Sequence, residues 1–75
     1  MMSRPVKRSF SIAGHRTSIS LEAPFWAALK DAAAREQMPV AQLVAQIDGD
    51  RNGASLSSAV RVWLLHYYRS QATVP

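Results

Sequence analysis

The chain contains no cysteine, so neither a disulfide framework nor a cysteine-based metal site is available to stabilise it. It has only three glycines among its 75 residues and no low-complexity segment or internal repeat. No apolar run approaches the roughly 18 residues of a membrane span, and no apolar stretch follows the basic N-terminal residues as a signal peptide would require. A cytoplasmic location and no membrane partner are expected. The first 21 residues also lack any acidic side chain. Arg4, Lys7, Arg8 and Arg16 all precede Glu22, and from Glu22 onward five basic and five acidic residues cancel. The whole net charge of +4 therefore sits at one end. Such a basic segment on a near-neutral body suits a polyanion, because neutralising phosphates releases condensed counterions.

What is present is apolar material, 48% of the chain, including two each of Trp, Tyr and Phe. That is too much for a disordered tail. A chain of this length buries only about 60% of its unfolded surface when folded alone, and association is the usual remedy. A homodimer, or a higher oligomer, is expected.

Residues 1–9 read as a flexible basic arm and 71–75 as a tail. Phe10 and Ile12, then Thr17, Ile19 and Leu21, alternate with Ser11, Arg16, Ser18 and Ser20, the period of a strand. Ala13-Gly14-His15 interrupts the alternation, so a short hairpin and one kinked extended segment both fit. From Arg16 to Leu21 the pattern is firmest, with Ile19 and Leu21 inward and Arg16, Ser18 and Ser20 outward. Three helices are predicted after it, over 24–37, 39–48 and 55–70. In the first, Phe25, Leu29 and Ala32 form the buried stripe and Trp26 lies at its edge, with Pro24 in the first turn. Val40, Leu43, Val44 and Ile47 give the second a clean amphipathic face. Gly49-Asp50-Arg51-Asn52-Gly53 reads as a turn, and Ser55 as the N-cap of the third. Leu56, Ala59, Val60, Trp63, Leu64 and Tyr67 stripe one side of that helix, while Val62, Leu65, His66 and Tyr68 make the other side apolar too. A helix apolar nearly all round must be covered twice, and a second subunit is the expected cover. One strand without a later partner leaves its backbone groups unpaired. Pairing with the same strand of a second chain, as an intermolecular antiparallel ribbon, is the economical solution.

Three runs carry a family resemblance: Arg16-Thr17-Ser18-Ile19-Ser20-Leu21-Glu22 with Pro24-Phe25-Trp26, then Leu56-Ser57-Ser58-Ala59-Val60-Arg61, then Tyr67-Tyr68-Arg69. Over about residues 7 to 69 the chain resembles the ribbon-helix-helix superfamily, most closely the small bacterial ribbon-helix-helix domain proteins. The resemblance implies a mainly α domain over 10–70, with an extra C-terminal helix. It also implies a sequence-specific, double-stranded-DNA-binding transcriptional regulator, a repressor, whose ribbon enters the major groove as a dimer. Carried over by position, Arg16, Ser18 and Ser20 contact bases. Arg4, Lys7, Arg8, His15, Thr17 and the amides of Val40 and Ala41 contact the DNA backbone. Pro39 stands where superfamily members usually have a small polar residue clamping a phosphate, and it lacks an N–H. Ile19, Leu21, Val60, Trp63, Leu64 and Tyr67 are assigned to the dimer interface.

No enzyme is expected. His15 and His66 are the only histidines, and no carboxylate pair or nucleophile–base pair has a usable spacing. Ser57 and Ser58 open a helix, where capping accounts for them. Neither metal nor cofactor is expected. The competing reading is an antitoxin-like interaction module, with Trp63, Leu65, Tyr67 and Tyr68 as an apolar patch for a protein partner such as a toxin.

Overall fold

The computed structural model describes residues 4–51 and 53–72. Strand β1 (Val6–Ile12) and strand β2 (His15–Leu21) form an antiparallel hairpin, with Val6 opposite Leu21, Arg8 opposite Ile19, Phe10 opposite Thr17 and Ile12 opposite His15. Ala13 and Gly14 form the two-residue turn with φ of +51° and +81°. Positive φ at both central residues is the requirement of a type I′ turn, whose twist matches that of the strands it joins. The strand that looks partnerless in the sequence is thus paired within its own chain, by an earlier strand rather than a later one. This overturns the premise from which an intermolecular ribbon was expected. Val6 to Ser9, expected in a flexible arm, belong to β1; residues 1–3 of that arm lie outside the described residues.

Arg8 explains why β1 was hidden. It occupies an inward position that alternation reserves for an apolar residue, and its guanidinium lies 5.2 Å from the centre of the Trp26 ring. Phe10 stacks on the same ring at 5.9 Å, and Trp26 Nε1–H donates to the Val6 carbonyl at 2.9 Å. Trp26 is therefore not at the edge of its helix but 4% exposed, the residue on which β1 is fastened.

Helix α1 (Ala23–Arg35) opens with the Glu22 carbonyl accepting from Phe25 and Trp26 N–H, and Pro24 sits in its first turn. Trp26, Leu29, Ala32 and Ala33 are its buried residues. The helix closes two residues earlier than predicted. Met38 N–H bonds the Ala33 carbonyl and Gln37 N–H the Ala34 carbonyl, with Gln37 at φ +57°. These crossed bonds satisfy carbonyls that a helix end leaves open, and the left-handed residue reverses the chain. Pro39 is the N-cap of helix α2 (Val40–Asp50), which buries Leu43, Val44 and Ile47. That helix runs through Gly49, where a turn was expected; Asn52 of that turn lies outside the described residues. Arg51 then staples the connection, donating from Nε to Asp48 Oδ1 and from Nη1 to the Ala54 carbonyl.

Helix α3 (Leu56–Ala72) starts where Ser55 Oγ accepts the Ser58 N–H, as an N-cap does. It extends beyond the predicted end at 70; residues 73–75 lie outside the described residues. Leu56, Val60 and Leu64 point into the core. Tyr68 Oη donates to the Ala28 carbonyl and Tyr67 Oη to Glu36, each at 2.9 Å, tying α3 to α1 and the loop after it. The core gathers Ile12, Ile19, Leu21, Trp26, Leu29, Leu43, Val44, Ile47, Leu56, Val60 and Leu64 from all five elements. Full burial of each large aliphatic side chain contributes about 1.5–3 kcal/mol. No helix among the described residues is long and apolar enough to cross a membrane.

Candidate nucleic-acid interface

The hairpin register sorts its side chains onto two faces. Leu21, Ile19 and Ile12 face inward and are buried, with Phe10 and Thr17 half-buried beside them. The other face carries three cross-strand pairs: Lys7 with Ser20, Ser9 with Ser18, and Ser11 with Arg16. Of these six, Ser20 is half-buried and the rest exposed. The face holds two cations, four hydroxyls and no carboxylate. A strand's period of two places these side chains together, and the turn at Ala13-Gly14 sets which residues meet.

Arg16, Ser18 and Ser20, the predicted base-contacting residues, are thus brought together. Lys7 joins them, although its expected role was at the DNA backbone, and Ser9 and Ser11 complete the face. Ser9 fell in the expected flexible arm, and Ser11, though part of the strand alternation, was assigned no contact. His15 is exposed beside the turn, and Arg4 is exposed just before β1. Arg8 and Thr17 lie on the opposite, inward face, Arg8 over the Trp26 ring and Thr17 opposite Phe10. Val40 and Ala41 are the first two residues of α2, whose cap carries no side-chain hydrogen bond. Their amides precede those of Gln42 and Leu43, which bond the Pro39 carbonyl.

Helix α3 abuts the candidate face at Ser20. Ser57 Oγ accepts the Ser20 N–H at 3.0 Å, and Arg61 Nη2 donates to the Ser20 carbonyl at 3.2 Å. Both polar groups of Ser20 therefore meet side chains of α3, which acts there as a neighbouring strand would. Ser57 consequently has a role other than capping, which falls to Ser55. The same Arg61 holds Glu22 through Nε and Nη2 at 3.1 and 2.9 Å, and stacks over Phe25. A hydrogen bond from its own backbone N–H, reinforced by Arg61, keeps the Glu22 carboxyl below its ordinary pKa. The acidic residue nearest the hairpin is thereby neutralised by a partner.

The residues assigned to a dimer interface divide differently. Ile19, Leu21, Val60 and Leu64 are at most 2% exposed inside the single chain. They pack the protomer's own core and leave no surface for a second subunit. Trp63 and Tyr67 are half-buried and stack at 4.9 Å. Tyr67 also touches Tyr68 edge-on; burial, and then the Glu36 hydrogen bond, raise its hydroxyl pKa. Of the opposite side of α3, Val62 and Leu65 stay exposed at 51% and 55%.

The family model described as the ribbon-helix-helix domain matches residues 5–68. A solved structure of an uncharacterized protein from Bordetella pertussis Tohama I is similar, with a TM-score of 0.77 and 33% sequence identity. The match covers 95% of this chain and 61% of that one, so the chain spans about three fifths of that protein's length. No curated protein matches.

Proposed function

Because the chain belongs to the ribbon-helix-helix domain family, whose members are in general DNA-binding regulators, we propose that it is a sequence-specific regulator of transcription that lays the outer face of its hairpin in the major groove of duplex DNA. The observation that carries this reading is the composition of that face: Lys7, Ser9, Ser11, Arg16, Ser18 and Ser20 on a two-stranded ribbon with no carboxylate. The major groove admits a two-stranded ribbon, and each base pair there displays a distinct set of donors and acceptors. Arg16 pairs bidentately with guanine O6 and N7, while the serine hydroxyls donate or accept according to the base they meet. Lys7, Arg4 and His15 approach phosphates, and the Val40 and Ala41 amides remain candidate donors to the DNA backbone. Arg8, exposed over the Trp26 ring, and Thr17, half-buried, remain candidate contacts to the DNA backbone. The protein acts as a homodimer in this reading, so that two hairpins address two half-sites.

The test is equilibrium binding to duplexes recovered by in vitro selection and to random duplexes, across a salt series. Arg16→Ala is expected to weaken binding to selected duplexes about 5- to 100-fold, the value of one bidentate base contact, with a much smaller loss on random ones. Lys7→Ala should weaken both alike and lower the salt slope by about one. Equal losses on both duplex sets for Arg16→Ala would remove its base-reading role. Absence of binding to any duplex at about 50 mM salt would overturn the reading.

A further inference from the structure

A groove of about 380 Å³ opens between α1 and α3, a size within the ~300–1,000 Å³ of clefts that hold small ligands. Phe25 and Ala28 of α1 and Leu64, Leu65 and Tyr68 of α3 make its walls apolar. The Tyr68 hydroxyl hydrogen is already committed to the Ala28 carbonyl. Arg61 shares the lining, and no carboxylate does.

Arg61 is fixed in this wall by its own contacts. Its guanidinium lies 5.7 Å from the centre of the Phe25 ring. Nε and Nη2 hold Glu22 and the Ser20 carbonyl, which leaves the N–H groups of Nη1 to donate elsewhere. The side chain is 33% exposed, within reach of a ligand in the groove. A second guanidinium, that of Arg35, lies 5.6 Å from the centre of the Tyr68 ring. Glu22 offsets one of these two cations, so the groove carries a positive field over apolar walls. The groove on the other flank of α3, about 280 Å³, has Asp50 and Arg51 together in its lining and no such bias.

We infer that the groove between α1 and α3 is a binding site for a small apolar monocarboxylate. Its tail lies against the Phe25 and Tyr68 rings, and its carboxylate accepts from Arg61 Nη1. Each methylene the tail buries raises affinity about fourfold, and the charge-assisted bond supplies the preference for an anion. A second carboxylate on the ligand would be desolvated against the apolar walls without a partner, which selects a monoacid.

An occupant is also felt in the hairpin. The guanidinium that receives the carboxylate is the one that holds the Ser20 carbonyl, so a ligand on Nη1 draws Arg61 toward the groove and loosens that hold. Nothing in this recognition depends on DNA, and its test uses none.

Octanoate, octanol and octylammonium share one tail and differ in charge. Followed by nuclear magnetic resonance of the isotope-labelled chain, octanoate should bind saturably at about 0.1–1 mM. It should bind at least about fivefold tighter than either of the others. The Ala28, Leu64 and Leu65 methyl signals should shift, and so should the Ser20 and Leu21 amides on either side of the carbonyl that Arg61 holds. Arg61→Gln should weaken octanoate about 5- to 30-fold and leave octanol, which reports the groove itself, unchanged. Leu65→Glu changes an exposed position and should invert the order, octylammonium then binding better than octanoate; it tests the site even where Arg61→Gln does not fold. Absence of octanoate binding to the wild type at about 5 mM overturns the inference. So does equal affinity for the three ligands, an unchanged order in Leu65→Glu, or shifts confined to Ile47, Ala54 and Ala59 of the other groove. Groove methyls that shift while Ser20 and Leu21 stay unmoved overturn the connection to the hairpin.

Discussion

Replacing Trp26 by phenylalanine isolates what fastens the first strand to the body. The indole Nε1–H donates to the Val6 carbonyl at 2.9 Å, and a phenyl ring cannot. Loss of that bond costs about 1 kcal/mol. The smaller ring buries roughly 40 Å² less apolar surface, another ~1 kcal/mol, and carries a weaker attraction for the Arg8 guanidinium. The sum is about 2 kcal/mol, against a total stability on the order of 4–11 kcal/mol for a domain of this size. In urea, with a slope near 1 kcal/mol/M, the midpoint should fall by about 2 M. Trp63 remains as a fluorescent reporter. The more diagnostic assay is amide hydrogen exchange. The two-residue turn makes Arg8–Ile19 and Phe10–Thr17 the pairs that exchange backbone hydrogen bonds. Their amides should lose protection by more than the Val44 and Val60 amides of the helices, because opening of β1 alone becomes easier. A midpoint shift below about 0.3 M would refute the role given to the indole. A uniform fall in protection across strand and helices would refute the claim that it acts on β1.

Three further predictions concern the backbone and one ion pair. Ala13→Asn should stabilise the hairpin by a few tenths of a kcal/mol, since asparagine tolerates the left-handed turn better than alanine, whereas Gly14→Ala should cost about 1 kcal/mol or more. A Cβ at Gly14 would meet nothing within 4 Å, so a thermal-melt loss there would be wholly conformational; an unchanged melting temperature would contradict the turn assignment. Gln37→Gly should raise stability by about 0.5–1 kcal/mol in the same assay, because the residue sits at φ +57° in the reversal after α1, and destabilisation would count against that geometry. The Glu22 carboxyl has a folded pKa below its unfolded value. Its contribution is therefore present above the unfolded pKa and fades as pH falls through the folded one. Stability of Glu22→Gln should decline less steeply below about pH 5 than that of the wild type, and parallel acid limbs would show that Arg61 does not hold the carboxylate.

Periodicity made the helices legible because their apolar stripes are long: Val40, Leu43, Val44 and Ile47 are half-buried or buried as the spacing predicts, and Ser55 caps α3 as its position suggests. Outward placement of Arg16, Ser18 and Ser20 followed from alternation alone. The start of the other strand, Lys7 to Ser9, was not legible. Arg8 breaks the apolar alternation of β1, and nothing near it in sequence announces the indole eighteen positions later on which it rests. Trp26 itself was misplaced because a helical stripe counted from Phe25 ignores a strand packed from outside the helix. Likewise, apolar spacing cannot tell a core residue from an interface residue. Val60 and Val62 are chemically identical and two positions apart, yet one is wholly buried and the other half exposed. Only the packing of α3 on the body distinguishes them.

The bonds that α3 makes to Ser20 join residues 37 and 41 positions apart. During synthesis the hairpin therefore emerges well before the helix that closes its edge. Until Arg61 has left the ribosome, the amide and carbonyl of Ser20 are open to any extended chain nearby, and an exposed strand edge is a template for aggregation. A chain broken off within α2 would keep that exposure permanently. The last helix is thus also what closes the edge of β2 at Ser20, a closure the nascent chain lacks until that helix is made.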